Sequence, residues 1–130
     1  MTHHQAIEAS LLRGAAKLVQ WTKDGTLVTP EQLAKQWNLG ALEVEAAVQR
    51  GDVFQVWVND SPFFPSALIP LGLEQATQVC KALDGTAASS KLIFMQRKHG
   101  RLGDRTVVEA LSSGFQLSLV CELAGEWKRD

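Results

Sequence analysis

The sequence lacks several features that would assign it to a specialised class of protein. Its 130 residues contain two cysteines, Cys80 and Cys121, in apolar surroundings and without metal-site spacing. We therefore expect free, buried thiols of a reducing compartment. The first residues do not follow the pattern of a signal peptide, and no apolar run approaches the roughly 18 residues of a membrane span. These absences predict a soluble cytoplasmic protein without a membrane partner.

Sequence motifs of catalysis are also missing. The chain has no Gly-x-Ser-x-Gly motif and no phosphate-binding loop. Its histidines do not have metal-ligand spacing, and His99 is the single histidine inside the predicted folded region. Without a nucleophile, a ligand set or a phosphate loop, we expect no enzymatic activity, no cofactor and no metal.

Length and charge favour one small packed unit. The chain is long enough for one domain, or for two very small ones that share a core, and its apolar fraction of 45% predicts such a core. The net charge of −1 argues against binding of polyanions through bulk charge, although a local basic patch remains open. Ile69-Pro70-Leu71-Gly72 is the predicted boundary between residues 1–69 and 70–130. This segment is too short and apolar for a flexible linker, so the halves should pack together.

The first half has the order of elements of a winged helix-turn-helix. Apolar residues at three- and four-residue spacing predict a helix over 3–21. Thr29, Pro30 and Gln32 have capping-box spacing and predict a helix to Trp37. A turn over 38–40 precedes a second helix over 41–50. Residues 53–68 alternate and turn as a β-hairpin would. The helix pair and hairpin are similar to those of the excisionase and MerR-like families, which implies a winged helix-turn-helix over 1–69.

Two uses of this module remain open. Gln36, Gln49 and Arg50 are the side chains that we expect to contact duplex DNA. However, residues 1–66 contain five Lys or Arg against seven Asp or Glu, so this half is acidic. The alternative is a packing scaffold or a protein-binding surface. Trp57 lies on the strand face opposite the core residues, so it is expected to be either exposed or covered by another element. If exposed, it is a candidate partner-binding residue.

The second half is predicted to be a bundle of about four helices, so the fold class is mainly α with a small β-hairpin. The predicted helices cover about 73–83, 86–98, 106–112 and 115–127. Thr86 or Ser89 is expected to begin the second of these, with Leu92, Ile93 and Met95 as its apolar residues and Phe94 as a further candidate. Thr106 and Glu109 have capping-box spacing, and Gly114 stands where a left-handed helix end is expected.

The segment from Leu102 to Gly114 has the pattern Leu-Gly-x-Arg-Thr-x-x-Glu-Ala-Leu-x-x-Gly. It resembles the signature of the Xre/MbcA/ParS-type toxin-binding domain, the C-terminal half of antitoxins that pair with RES-domain toxins. The usual signature has a proline where Val107 stands. The resemblance covers about residues 70–130 and extends to a small-residue stretch before Trp127.

This resemblance implies a protein-binding role. In such antitoxins the C-terminal segment enters the active-site cleft of a toxin that consumes NAD, which implies that Trp127, Lys128 and Arg129 form the inserting group. It further implies that Arg101 and Arg105 fix the preceding turn and form part of the rim facing the partner. From the residues alone, the basic run over 97–105 could instead contact an anion or form a solvated turn.

Our first hypothesis is therefore an antitoxin-like module that binds and occludes a RES-type toxin, and whose winged helix-turn-helix binds the operator of its own gene pair. The alternative is a small DNA-binding transcriptional regulator whose C-terminal helices mediate dimerisation. Both hypotheses favour a homodimer or a higher oligomer.

Overall fold

The computed structural model describes residues 16–129, with only the backbone described at Arg129. The predicted first helix falls partly on residues 3–15, which lie outside the described residues, as does Asp130. Within the described residues the protein is mainly helical with a small antiparallel sheet.

Residues 16–65 contain three α-helices and three short strands. Residues 16–24 are helical and are called α1. This helix ends three residues after the predicted end at residue 21. The other elements are β1 (Leu27–Val28), α2 (Pro30–Trp37), α3 (Ala41–Arg50), β2 (Val56–Val58) and β3 (Ser61–Pro65). The strands pair antiparallel in the order β1-β3-β2, with Val56 opposite Phe63 and Leu27 opposite Pro65.

The predicted strand over 53–59 is longer than the observed β2. Val53 and Phe54 are buried, but they precede the ladder. The pairing of β2 with β3 extends from Val56 to Val58, so Val53 and Phe54 lie in the segment between α3 and β2. The alternation itself is confirmed, since Val56 and Val58 are buried and Trp57 is exposed.

The second half contains four helices: α4 (Gly72–Ala82), α5 (Ala88–Gln96), α6 (Val107–Ser112) and α7 (Leu117–Arg129). Two short 3-10 helices, Ser66–Leu71 and Gly100–Leu102, precede α4 and α6. None of the helices in the described part of the chain is both long and apolar enough to cross a membrane.

Helix capping was largely predictable from local spacing. The Thr29 and Thr106 side chains each accept a hydrogen bond from the third helical N–H, and Gln32 and Glu109 complete the two capping boxes. Helix α5 begins at Ala88, between the two predicted starting residues Thr86 and Ser89. Its N-cap residue, Ala87, provides no side-chain cap, and the Thr86 Oγ1 is buried without a hydrogen-bond partner among the described residues.

The apolar side of α5 also differs from the prediction. Phe94 is fully buried together with Leu92 and Met95, whereas Ile93 is 49% exposed. Consecutive helical side chains point about 100° apart, so the run Leu92 to Met95 cannot face the core as a whole. The larger ring occupies the inner position.

The two halves share one hydrophobic core. Its buried residues include Leu33 and Phe64 from the first half and Phe94 and Val120 from the second. The predicted boundary is a packed 3-10 helix, in which Leu68 is fully buried. The Trp37 indole N–H donates a hydrogen bond to the Ile69 carbonyl at 3.1 Å, which fixes α2 against this segment.

A buried carboxylate adds a polar link between the halves. Asp52 follows α3 and accepts from Arg50 Nε at 2.9 Å, and its other oxygen lies 3.3 Å from Lys81 Nζ on α4. The hydrogen bond from Arg50 and the charge of Lys81 hold the pKa of Asp52 below its ordinary value of 3.8.

We predict that Asp52→Asn lowers the free energy of unfolding by about 1 to 2 kcal/mol at neutral pH, because it removes charge-assisted hydrogen bonds. Since the pKa is lowered on folding, this stabilisation is present above the ordinary Asp value and is lost as the pH falls towards the lowered one. Urea unfolding at about pH 7 and about pH 3 measures it.

The matched control is Asp60→Asn at the exposed hairpin turn, where the backbone φ of 64° suits asparagine. It should change stability little at either pH. Equal effects of the two variants, or an Asp52→Asn effect independent of pH, would contradict the link.

Candidate partner-binding surfaces

The basic segment before α6 is a closed loop held by its own backbone. The His99 N–H donates to the Arg105 carbonyl, and the His99 carbonyl accepts from the N–H groups of Leu102 and Asp104, all at 3.0 Å. Leu102 is fully buried beneath the loop. The predicted turn is therefore a rigid part of the fold, anchored by one core side chain.

Arg101 joins this loop to the last helix. Its Nη1 lies 2.9 Å from Glu126 Oε1, and its Nη2 lies 3.4 Å from Glu122 Oε1, one turn earlier on α7. These two carboxylates raise the pKa of the guanidinium. The predicted partner-facing arginine remains about half exposed, but its charge is engaged within the chain.

Arg105 folds back onto its own loop. Its Nη1 is 3.3 Å from the carbonyl oxygens of both Leu102 and Gly103, and the guanidinium lies 5.4 Å from the centroid of the Phe115 ring. Gly103 has a φ of 66°, and an added Cβ there would overlap the guanidinium. Arg105 therefore packs within the turn, against the backbone of Leu102 and Gly103.

Trp127 is packed rather than free. Its indole N–H donates to Ser90 Oγ at 3.0 Å, and its ring centroid lies 5.8 Å from that of Phe94. The His99 ring meets it edge-on at 6.2 Å. The side chain is therefore anchored between α5 and the loop. Lys128, the next residue of α7, has an exposed side chain.

The aromatic contact of His99 was missed at the sequence level. The ring lies 4.7 Å from Phe94, and its Nε2 is 3.0 Å from the Phe94 carbonyl oxygen. Five residues separate this histidine from Phe94 and 28 separate it from Trp127, so local periodicity carries no signal for the cluster.

The two cysteine thiols are not activated as nucleophiles, because burial raises the pKa of Cys121 and raises that of Cys80 to about 12.

The residues predicted to contact DNA do not form one set. Gln36 and Gln49 are exposed on α2 and α3. Arg50 is exposed as well, but its guanidinium is held by Asp52. The structure brings Gln49, and not Gln36 or Arg50, to the groove described next.

A groove of about 400 Å³ separates α3 from the hairpin. Its apolar walls come from Ala41, Val44 and Val48 on α3 and from Trp57 and Pro62 on the strands. The polar side chains that line it are Glu45, Gln49 and Gln55. The volume of this groove is in the range of ligand and peptide sites.

Two large apolar side chains are exposed beside this groove. Trp57 is 58% exposed, and Leu42 is 80% exposed. Leu42 recurs with Glu45 and Gln49 at three- and four-residue spacing, so the three share the outer face of α3. Sequence inspection had not placed Leu42 on that face. A leucine and a tryptophan that are exposed near the same groove indicate an interaction surface.

Comparison with protein-family models, with curated proteins and with solved structures found no match for this chain.

We predict that Gly103→Ala destabilises the protein by about 1 to 3 kcal/mol, because alanine tolerates the positive φ poorly and its Cβ would displace Arg105. The matched control is Gly100→Ala in the same loop, where an added Cβ meets no atom within 4 Å. Thermal unfolding of both variants distinguishes them. If Gly100→Ala is as damaging as Gly103→Ala, the loop does not depend on this arginine contact.

Proposed function

We propose that this protein is a non-enzymatic, antitoxin-like module that binds and occludes a RES-type toxin through the end of α7. The observation that supports this best is the fixation of α7 on the loop with the Leu-Gly-x-Arg-Thr pattern. Arg101 engages two successive turns of α7, and Ser90 and Phe94 hold Trp127 near its end.

A preformed end lowers the cost of binding. A segment that is ordered before association loses less conformational entropy on binding than a disordered one. In this proposal Trp127 is the anchor that orients the end of α7, and Lys128 and Arg129 contact the partner. This differs from insertion of the tryptophan itself, because an inserted indole would have to leave Ser90 and Phe94.

The proposal predicts that Lys128→Gln with Arg129→Gln weakens capture of a partner by at least about tenfold, since contacts at a partner-facing end are lost while the fold is retained. The measurement is a pull-down from the native host with the tagged chain, followed by identification of co-purifying proteins. The double variant Lys23→Gln with Lys35→Gln, which removes the same charge from exposed positions of α1 and α2, is the control.

A single small protein that is captured by the wild type and the control, and lost from the α7 variant, is the expected result. Recovery of that protein by all three chains would contradict the role of α7. Recovery of no protein by the wild type would contradict the antitoxin-like function.

A second candidate function is DNA binding by a winged helix-turn-helix composed of α2, α3 and the β2–β3 hairpin. The exposure of Gln36 and Gln49 favours it, because amide side chains read base edges. The other residues on the outer face of α3 argue against DNA binding, since neither Leu42 nor Glu45 can bind a phosphate group. In this arrangement the helices α4–α7 would mediate dimerisation, and the DNA would be the operator of the protein's own genes.

The DNA-binding candidate predicts that affinity for the duplex upstream of the protein's own gene falls at least about tenfold between 50 and 200 mM salt. Gln36→Ala and Gln49→Ala should each weaken sequence-specific binding, whereas Gln78→Ala on the exposed side of α4 should not. Fluorescence anisotropy measures this. A DNA affinity that does not change with salt concentration would contradict this candidate. So would sequence-specific binding that both glutamine variants retain.

A further inference from the structure

The groove between α3 and the hairpin has the chemistry of a site for a cationic side chain. Glu45 is the charged residue among those that line it, and no Lys, Arg or His of the described residues lies within ion-pair distance of Glu45. Trp57, which is 58% exposed, lines the wall that the strands form. A carboxylate and an electron-rich ring that line the same apolar groove attract a guanidinium or an ammonium group.

Two further acidic residues lie near the groove. Glu31 is exposed next to Pro30, which lines the groove, and Asp60 is exposed at the tip of the hairpin. Arg50, the basic residue at the end of α3, is ion-paired with Asp52. The field at the groove therefore favours a cation and disfavours the phosphates of a nucleic acid.

The remaining lining fits a peptide chain. Val44, Val48 and Pro62 provide apolar contact for aliphatic side chains, and the exposed Leu42 extends that surface along α3. The amides of Gln49 and Gln55 can donate to and accept from a peptide backbone. Backbone pairing and a shaped pocket for one side chain are the usual elements of peptide recognition.

We propose that this groove binds an apolar peptide segment of a partner protein that carries an arginine or lysine side chain, with the cation between Glu45 and Trp57. This surface goes beyond the proposed function, because it lies in the first half of the chain and does not involve the end of α7. A chain with both surfaces contacts proteins at two separate places.

The experiment titrates the full-length, ¹⁵N-labelled chain with the acetylated and amidated tripeptide Leu-Arg-Leu and with Leu-citrulline-Leu. Citrulline has the shape of arginine without the charge, so the pair isolates the cation. The Trp57 indole N–H signal, identified by its loss in Trp57→Phe, and the backbone amides of α3 report binding. The expected result is a saturable shift of these signals, with the arginine peptide bound at least about fivefold more tightly.

Glu45→Gln should abolish the preference for arginine over citrulline. Glu74→Gln, which removes an exposed carboxylate from α4, should retain it. Equal binding of the two peptides, an absence of binding, or shifts outside the groove would overturn the proposal. So would displacement of the arginine peptide by a DNA duplex that shifts the same signals. Because no partner of α7 takes part, each result is independent of the antitoxin-like function.

Discussion

The burial of the 3-10 helix Ser66–Leu71 is the constraint on which the rest of the structure depends. Leu68 lies at the centre of the shared core, and this segment packs against α2, α4, α6 and β3. Removing so central a side chain would expose both halves at once, since neither encloses the core alone. Two polar interactions add to this apolar packing: the hydrogen bond from Trp37 to the Ile69 carbonyl and the ion pair between Asp52 and Lys81. Because both depend on orientation, they help to fix how the elements pack together. The protein therefore behaves as one unit with two kinds of surface.

The two surfaces follow from how each half completes that core. In the second half, Leu102 and Phe94 are drawn inward, and the loop above them holds α7 through Arg101. The polar side chains of the loop and of α7 pair within the chain, and the packed end of α7 is the surface that we propose for the partner. In the first half, Val56 and Val58 face the core and Trp57 must face outward, so an aromatic wall stands opposite α3. The result is a groove in which Glu45 has no ion-pair partner among residues 16–128.

Local chemistry was predictable and long-range pairing was not. Both capping boxes and the strand alternation around Trp57 follow from spacing along the chain, and the structure confirms them. The choice of Phe94 over Ile93 as core residue depends on packing from other elements. The same holds for the contacts of Arg101 with Glu122 and Glu126, which are more than 20 residues away. Leu42 was missed because a leucine in a helix pattern is expected to be buried.

The central claim is that the end of α7 is ordered before any partner binds. Amide hydrogen exchange of the isolated, full-length chain tests it most directly, because it reports the local free energy of opening at each helix. The account predicts that the amides of α7 near Ala124 and those of the loop over 99–105 are protected to about the same extent as those of α4. Rapid exchange throughout α7, beside a protected α4, would contradict a preformed end.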